Sequence, residues 1–523
     1  MENIKDQRDQ RHLKCTWNFP RSRSKRSNVF RYGLAGAIGA LGFAPLNFFP
    51  AFLASFGWFF YQLSNSRKIF LHSFVFFMAL HVCCLYWLAY PLTIDLARHW
   101  ILIPFAVAAV PAYFSCQLAF ATWLAEKISA DIVEKMLLLP SFCSVAMYFY
   151  GHFSLGFPWI LPAYIWNCDE IFLQPLSLVG VYGFSLITML MCCLGGVFFL
   201  FLRRRDKKNA IISASVLAFL FIFVISFGIL RINSNETQFT SQRCRLVQCN
   251  LAQRDKNDRS QAEQHFWKHL GCSISADNLD FVIWPEASLP YLYNERQEDL
   301  KNCFRSVLTP GTRVILGAVR EDLGTGKIHN SVVVLDHLGE NIANYDKVHL
   351  VPFGEYIPFR NFIFLPFRSI ANDIGDFDVG EAPRVLDVGL KVAMTVCYEA
   401  VFPLDFLPRN EIADVIINLT NDAWFGPTSE PYQHLQIVRA RSVELGIPLM
   451  RCTNYGISAV FDPCGREICR IPLGTSGVVD FRVPQKLPNE TPYRKYGDRF
   501  FLMMILIISG IIFIKRALDE KKI

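Results

Sequence analysis

Charge is scarce in this 523-residue chain: Asp, Glu, Lys and Arg make up only 19% of it, against 52% hydrophobic residues. A disordered tail or a nucleic-acid-binding arm needs the opposite balance, and 47 Phe with 10 Trp exclude both. The glycine-rich phosphate cradles GxGxxG and GxxxxGK(S/T) are missing, so nucleotide binding has no local support. HExxH is missing too, and no cysteine and histidine spacing suits zinc. No metal and no other cofactor is expected. The 16 Cys contain no CxxC pair and read mostly as small buried hydrophobes, with a Cys464–Cys469 pairing left open.

What is plentiful is apolar length, and it is unevenly placed. Residues 1–235 carry long apolar runs, whereas 241–490 have the mixed composition of a soluble domain. A helix needs about 20 apolar residues to cross roughly 30 Å of hydrocarbon. Candidate spans fall near 29–45, 48–63, 69–90, 100–125, 136–152, 175–202, 210–231 and 499–514. The first, second and fifth are short enough to suit a re-entrant or interfacial segment instead. Ala44-Pro45-Leu46-Asn47 reads as a tight turn between the first two.

The loops give an orientation. With a cytoplasmic N-terminus, the inside segments 1–31, 65–68, 126–135, 203–208 and 515–523 hold 22 Lys and Arg, while the outside loops 90–99 and 151–172 hold only Arg98. Inside loops are the Lys/Arg-rich ones. The pattern therefore predicts a retained basic cytoplasmic segment (1–28), a membrane domain of about seven helices (29–235) and a soluble domain outside (241–490). A C-terminal transmembrane helix (499–514) then returns a cytoplasmic tail (515–523). The basic run Arg21-Ser-Arg-Ser-Lys-Arg26 suits anionic headgroups better than nucleic acid.

In the soluble part, strand-like runs at 244–248, 280–284, 312–319, 331–336, 391–396, 414–419 and 458–462 alternate with helix-like stretches at 259–271, 295–307, 399–407 and 432–445. Val/Ile-rich strands without clean alternation predict a sheet covered on both faces, and the alternation with helices an α/β layered domain. Three polar signals end or interrupt apolar runs. Glu286, in Phe281-Val-Ile-Trp-Pro-Glu286, follows a buried strand and a Pro that stops the ladder. A carboxylate partly desolvated there gains the raised pKa of a general base, while one facing water is merely a strand end. Lys347 opens Lys347-Val-His-Leu-Val-Pro-Phe-Gly-Glu355-Tyr-Ile-Pro358, an extended segment where a solvated loop Lys is the plain alternative. Cys397 closes a strand and precedes Tyr398 and Glu399. At a helix N-terminus with a Lys nearby it would favour thiolate, and otherwise it is a core Cys.

In that order the three motifs resemble the Glu-Lys-Cys triad of the nitrilase superfamily. Set between membrane segments, the form Lys-x-x-Leu-x-Pro-Phe-Gly-Glu-Tyr-x-Pro is similar to the apolipoprotein N-acyltransferase family. The stretches Asn418-Leu-Thr-Asn-Asp-Ala-Trp-Phe-Gly426, Arg439-Ala-Arg441, Arg451-Cys-Thr-Asn-Tyr-Gly456, Phe43-Ala-Pro45 and Gly156-Phe-Pro-Trp159 carry the resemblance along nearly the whole chain. It implies an αββα sandwich on the periplasmic side of a bacterial inner membrane, joined to a multi-pass helical domain, and a monomer. It further implies Cys397 as nucleophile, Glu286 as base and Lys347 as oxyanion holder, with a phospholipid as acyl donor and a diacylglyceryl-modified apolipoprotein as acceptor. The Tyr398 N–H is a second oxyanion donor in this reading. Glu355 and Glu399 orient the triad or satisfy loop N–H groups, and Trp424 and Phe425 form a mobile apolar lid. His349 and His434 read as packing or surface residues. One departure stands out: Asn257 falls where the family has a functionally important Trp, and the nearest Trp is Trp267. A membrane-tethered amidase using the same triad is the alternative.

Overall fold

The computed structural model describes residues 29–64, 66–153, 156–256, 259–275, 277–357, 376–382 and 384–521. The basic segment 1–28, Asn257 and Pro358 lie outside them. The membrane half begins with α1 (Val29–Ala40), α2 (Phe49–Leu63), α3 (Ile69–Leu85), α4 (Ile103–Ile128), α5 (Ile132–His152), α6 (Leu176–Arg203) and α7 (Lys207–Asn233).

Six apolar stretches among the described residues are long enough to span a bilayer: Ile69–Ile94, Leu96–Ile128, Ile132–His152, Leu176–Arg203, Lys207–Asn233 and Arg499–Glu520. Eight were expected. The two that fall short are α1 and α2, of 12 and 15 residues. They fold back at 44–47, and α1 packs hard on α3: a Cβ on Gly36 would lie 2.1 Å from the Phe76 carbonyl oxygen. Because the short helices form one hairpin, discounting both leaves the side on which later segments emerge unchanged. The fifth stretch, by contrast, is a full 21-residue helix. Asp131 starts it early by accepting from the N–H groups of Val133 and Glu134, both at 2.9 Å.

The soluble half is two stacked sheets. The first contains β1 (Phe239–Gln248), β2 (Phe281–Ile283), β3 (Arg313–Glu321), β4 (Ile328–Leu335) and β5 (Asn341–Asp346). The second contains β6 (Val385–Asp387), β7 (Lys391–Val396), β8 (Val415–Thr420), β9 (Leu449–Thr453), β10 (Ser458–Phe461) and β11 (Glu467–Ile471), while β12 (Gly477–Pro484) returns to the first. Their orders are β12-β1-β2-β3-β4-β5 and β11-β10-β9-β8-β7-β6. In each sheet a parallel centre, β1-β2-β3 or β7-β8-β9, carries antiparallel flanks. Leu246, Ile283, Ile315 and Val334 meet Met394, Ile417 and Met450 between the sheets. Outside the first sheet lie α8 (Ala262–Ser273) and α9 (Gln297–Val307), held by Phe266, Leu270, Leu300 and Phe304. Outside the second lies α10 (Glu430–Leu445), held by Leu435, Val438 and Leu445, and α11 (Arg499–Glu520) closes the chain. The helix–sheet–sheet–helix order is the expected αββα sandwich.

Stretch 399–407 differs from its expected helix. Only Cys397–Val401 coils, as a 3-10 turn, and Pro403 follows two residues later. The described cysteines are all free, so Cys464 and Cys469 are not joined.

The two halves share one apolar core. Tyr398, Val401, Phe402, Ile437, Ala440 and Val443 of the sandwich are buried in the same cluster as membrane residues such as Trp87 and Trp159. A large side chain buried this way contributes roughly 1.5–3 kcal/mol. Gln433 on α10 pins the seam: its Oε1 accepts from Trp87 Nε1 (3.1 Å) and Trp159 Nε1 (2.8 Å), and its Nε2 donates to the Cys84 carbonyl (3.1 Å).

Candidate active site

Glu286 leaves the first sheet just past β2, where Pro285 has no N–H to continue the ladder. The Pro285 carbonyl still accepts from Gly317 N (3.1 Å), and that residue must be Gly, since a Cβ would sit 2.5 Å from Glu286 Cα. The strand end thus turns the carboxylate inward, where 7% of the residue is exposed. Lys347 follows β5 and is wholly buried, its N–H held by the Asn330 carbonyl at 2.9 Å. Its Nζ donates to Glu355 Oε1 at 2.9 Å and lies 3.8 Å from Glu286 Oε1. Burial alone would discharge this ammonium, but the carboxylates of Glu355 and Glu286 outweigh it and hold Lys347 charged, well above its usual value.

Glu355 plays both roles left open for it. Both oxygens lie 2.9 Å from Lys347 Nζ, and Oε2 also accepts from Val351 N at 2.8 Å, closing the loop on itself. Asn330 on β4 is a residue the motifs did not flag. Its Nδ2 bridges Glu286 Oε1 (2.8 Å) and Glu355 Oε1 (2.9 Å), fixing the two carboxylates about one ammonium. For Glu286, burial pushes the pKa up, Lys347 opposes, and the Glu355 charge pushes up again. The net direction is upward, as a base needs.

Cys397 ends β7 of the second sheet in a left-handed conformation (φ +53°) that lifts its side chain out of the strand. Asn418 of β8 donates to its carbonyl at 3.2 Å and to Thr395 Oγ1 at 3.0 Å, bracing the elbow. The expectation of a resting thiolate does not hold. A five-residue 3-10 turn offers no helix terminus to stabilise it, and desolvation first, then the Glu286 charge, push the thiol well above its ordinary pKa despite Lys347. Both influences favour the thiol over the thiolate.

Glu399 ties the sheets together across the site. Its Oε1 accepts from Tyr345 OH (2.9 Å), Val348 N (2.7 Å) and His349 N (3.1 Å), and its Oε2 accepts from Val396 N (2.7 Å). The segment bearing Lys347 is thereby fastened to the strand end bearing Cys397. Tyr398 sends its phenol the other way, donating to the Gly156 carbonyl of the membrane half. Phe425 is no free lid: its ring packs edge-on to Trp87 at 5.0 Å, and Gly426 seats against the Tyr90 ring. Trp424 beside it is half-buried.

His349 is a surface residue as expected, stacked on Phe402 at 4.0 Å. His434 is more than packing. It lies 3.2 Å from Asp422 and 3.4 Å from Glu430, while Arg451 spans Asn418 Oδ1 (2.8 Å) and Asp422 Oδ2 (2.6 Å). Asp422, Glu430 and His434 are close enough to hold a cation. The Arg451 guanidinium already supplies that charge, which makes the cluster a brace for Asn418 behind the elbow. In the loop near the missing family Trp, Lys256 points at the site: its Nζ donates to the Ala287 carbonyl at 2.8 Å, and burial lowers its pKa to about 8 against the pull of Glu286. Trp267 faces away, 55% exposed on α8.

Two family models match, "Carbon-nitrogen hydrolase" over residues 243–493 and "Apolipoprotein N-acyltransferase N-terminal domain" over 35–194. Among solved structures, an amidase from Nesterenkonia is 20% identical, covering 48% of this chain and 94% of its own, with a TM-score of 0.35. Among curated relatives, the apolipoprotein N-acyltransferase of Bradyrhizobium diazoefficiens is 34% identical over 76% of each chain. That of Rickettsia prowazekii is 31% identical over 91% of this chain and 96% of its own. With the same two halves in the same order, matched end to end by such relatives, the chain belongs to the apolipoprotein N-acyltransferase family.

Proposed function

We propose that the protein moves a fatty acyl chain from a membrane phospholipid, through a thioester on Cys397, to the N-terminal amine of S-diacylglyceryl-cysteine on apolipoproteins. Glu286 takes the thiol proton as sulfur attacks the ester carbonyl. The tetrahedral oxyanion is met by Lys347 and the Tyr398 N–H, a kind of stabilisation worth roughly 3–4 kcal/mol per donor in a dry site. Collapse expels the lysophospholipid alkoxide, which receives the proton from Glu286. In the second half the acceptor amine attacks the thioester, Glu286 takes its proton, and Cys397 leaves and is reprotonated. Every bond and proton comes from the chain and its two substrates.

The observation that carries this reading is the setting of the nucleophile. Cys397 sits between a buried Glu–Lys pair and a turn whose Tyr398, Val401 and Phe402 belong to the membrane-half core. Such a site faces lipid esters and keeps water from the thioester, where an amidase would need water to enter. Trp424, half-buried at that seam, is the side chain we assign to the acyl chain. The loop charges support an outward, periplasmic sandwich with both termini cytoplasmic and the divisions 1–28, 29–235, 241–490, 499–514 and 515–523, and a monomer is the state proposed with them.

Intact mass after incubation with phospholipid and no acceptor tests the reading. An acyl-sized, hydroxylamine-labile gain is expected in the native chain and not in Cys397→Ala. If the native chain gains no adduct and releases no lysophospholipid, the reading fails and C–N hydrolysis takes its place.

A further inference from the structure

A groove of about 800 Å³ runs along the membrane face of α2, α6 and α7, well away from the triad. Phe49, Leu53, Trp58, Phe199 and Phe221 make its walls apolar. Its polar groups gather at one end, where Arg203 Nη1 donates to Tyr61 OH at 2.5 Å. Gly57 and Gly196 bring α2 and α6 into backbone contact, since a Cβ on Gly196 would lie 2.5 Å from the Gly57 carbonyl oxygen. Gly195 next to it lines the groove, and a Cβ there would meet nothing within 4 Å.

The depth of the groove follows from helix geometry. Phe49 to Tyr61 along α2 rises about 18 Å, a little more than one leaflet of a roughly 30 Å hydrocarbon layer. Its Phe49 end adjoins the sandwich, because Gln436 of α10 donates to Asn47 at 2.6 Å. Its Arg203 end points away from the sandwich, toward the basic turn where Arg204, Arg205, Lys207 and Lys208 follow in sequence. An apolar channel of leaflet length, closed by a phenol and a guanidinium at the headgroup level, is complementary to one molecule: a phospholipid with an anionic head.

We infer that this groove binds an anionic phospholipid of the leaflet remote from the catalytic domain, its acyl chain between α2, α6 and α7 and its phosphate on Arg203 and Tyr61. The inference rests on α6 and α7 spanning the bilayer. The lipid is not the acyl donor: α6 rises about 35 Å from Gly180, beside the sandwich, to Arg203, so an ester held there cannot reach Cys397. It fills a wedge that would otherwise leave α2 and α7 propped apart around an empty space.

Native mass spectrometry of the full chain, taken from nanodiscs of equal phosphatidylglycerol and phosphatidylethanolamine, tests this. The native chain should retain one phospholipid, enriched in the anionic species. Arg203→Gln removes a charge from an exposed side chain and should cut that enrichment about fivefold, the worth of one cation near an anionic surface. Gly195→Phe fills the groove and should abolish retention while thioester formation stays within about twofold of native. Retention undiminished in Gly195→Phe, or enrichment unchanged in Arg203→Gln, would overturn the assignment. So would a Gly195→Phe protein that melts normally yet no longer forms the thioester, because the groove would then serve the donor.

Discussion

Replacing Glu399 by Gln isolates what the link between the two sheets does. The carboxylate meets four donors with its two oxygens, at 2.7 to 3.1 Å, and against the burial that pushes its pKa up its backbone N–H donors favour the charged form. An amide of the same shape has one acceptor. Its better placement keeps the oxygen on Tyr345, Val348 and His349 and turns its NH2 toward Val396 N, setting two donors face to face where 2.7 Å now separates donor and acceptor. One charge-assisted bond is lost, three are weakened and a buried N–H is left unmet, on the order of 3–5 kcal/mol altogether. The strain falls at Val396 N, one residue before Cys397, and the three weakened bonds loosen segment 345–349, which carries Lys347. A shift of about 1 Å in such a group costs around a hundredfold in rate. Single-turnover accumulation of the acyl-enzyme, followed by intact mass beside thermal unfolding, should show Glu399→Gln slowed about a hundredfold with a lowered melting point. Tyr345→Phe, which removes one neutral donor worth about 1 kcal/mol, should slow it less than tenfold. Native rate and native melting in Glu399→Gln would refute the argument that Glu399 positions Lys347.

Lys256→Met removes a cation that lowers the Glu286 pKa, so Glu286 should ionise at higher pH and the acidic limb of the acylation rate should move up; an unmoved limb would mean Lys256 does not sense Glu286. Arg451→Met strands Asp422 as a buried, unbalanced charge and should destabilise the protein by about 3–5 kcal/mol in denaturant or thermal unfolding, part of it recovered by adding Asp422→Asn.

The residues proposed to bear the chemistry are readable because each breaks an apolar run: Glu286 after a Pro, Lys347 in an extended loop, Cys397 at a strand end. The residues that brace them are not. Asn330 stands inside β4, in a run where a polar residue looks like simple alternation, and only the fold brings it between Glu286 and Glu355. β9 is absent from the expected strands, and its Arg451 lies in the core with its guanidinium satisfied by Asp422 and Asn418. β5, β6, β11 and β12 are short or mixed because they lie at or beside sheet edges, where one side of the ladder needs no hydrophobic signal. The 3-10 turn after Cys397 mimicked a helix because its apolar residues face the membrane half instead of the sandwich. Length misled in both directions at the bundle: α1 and α2 are shorter than their apolar runs, and α5 is longer.

The seam between sandwich and bundle also bears on how the protein is made. Seven helices leave the ribosome before the first strand does, so the surface that covers Tyr398, Phe402, Ile437 and Val443 is in place before those residues exist. Until the new domain lands on it, the turn that holds Cys397 lacks the Gly156 carbonyl and half of its apolar cover. A sandwich cut loose from the membrane half would keep Glu286, Lys347 and Cys397 but leave the turn at Cys397 without that cover.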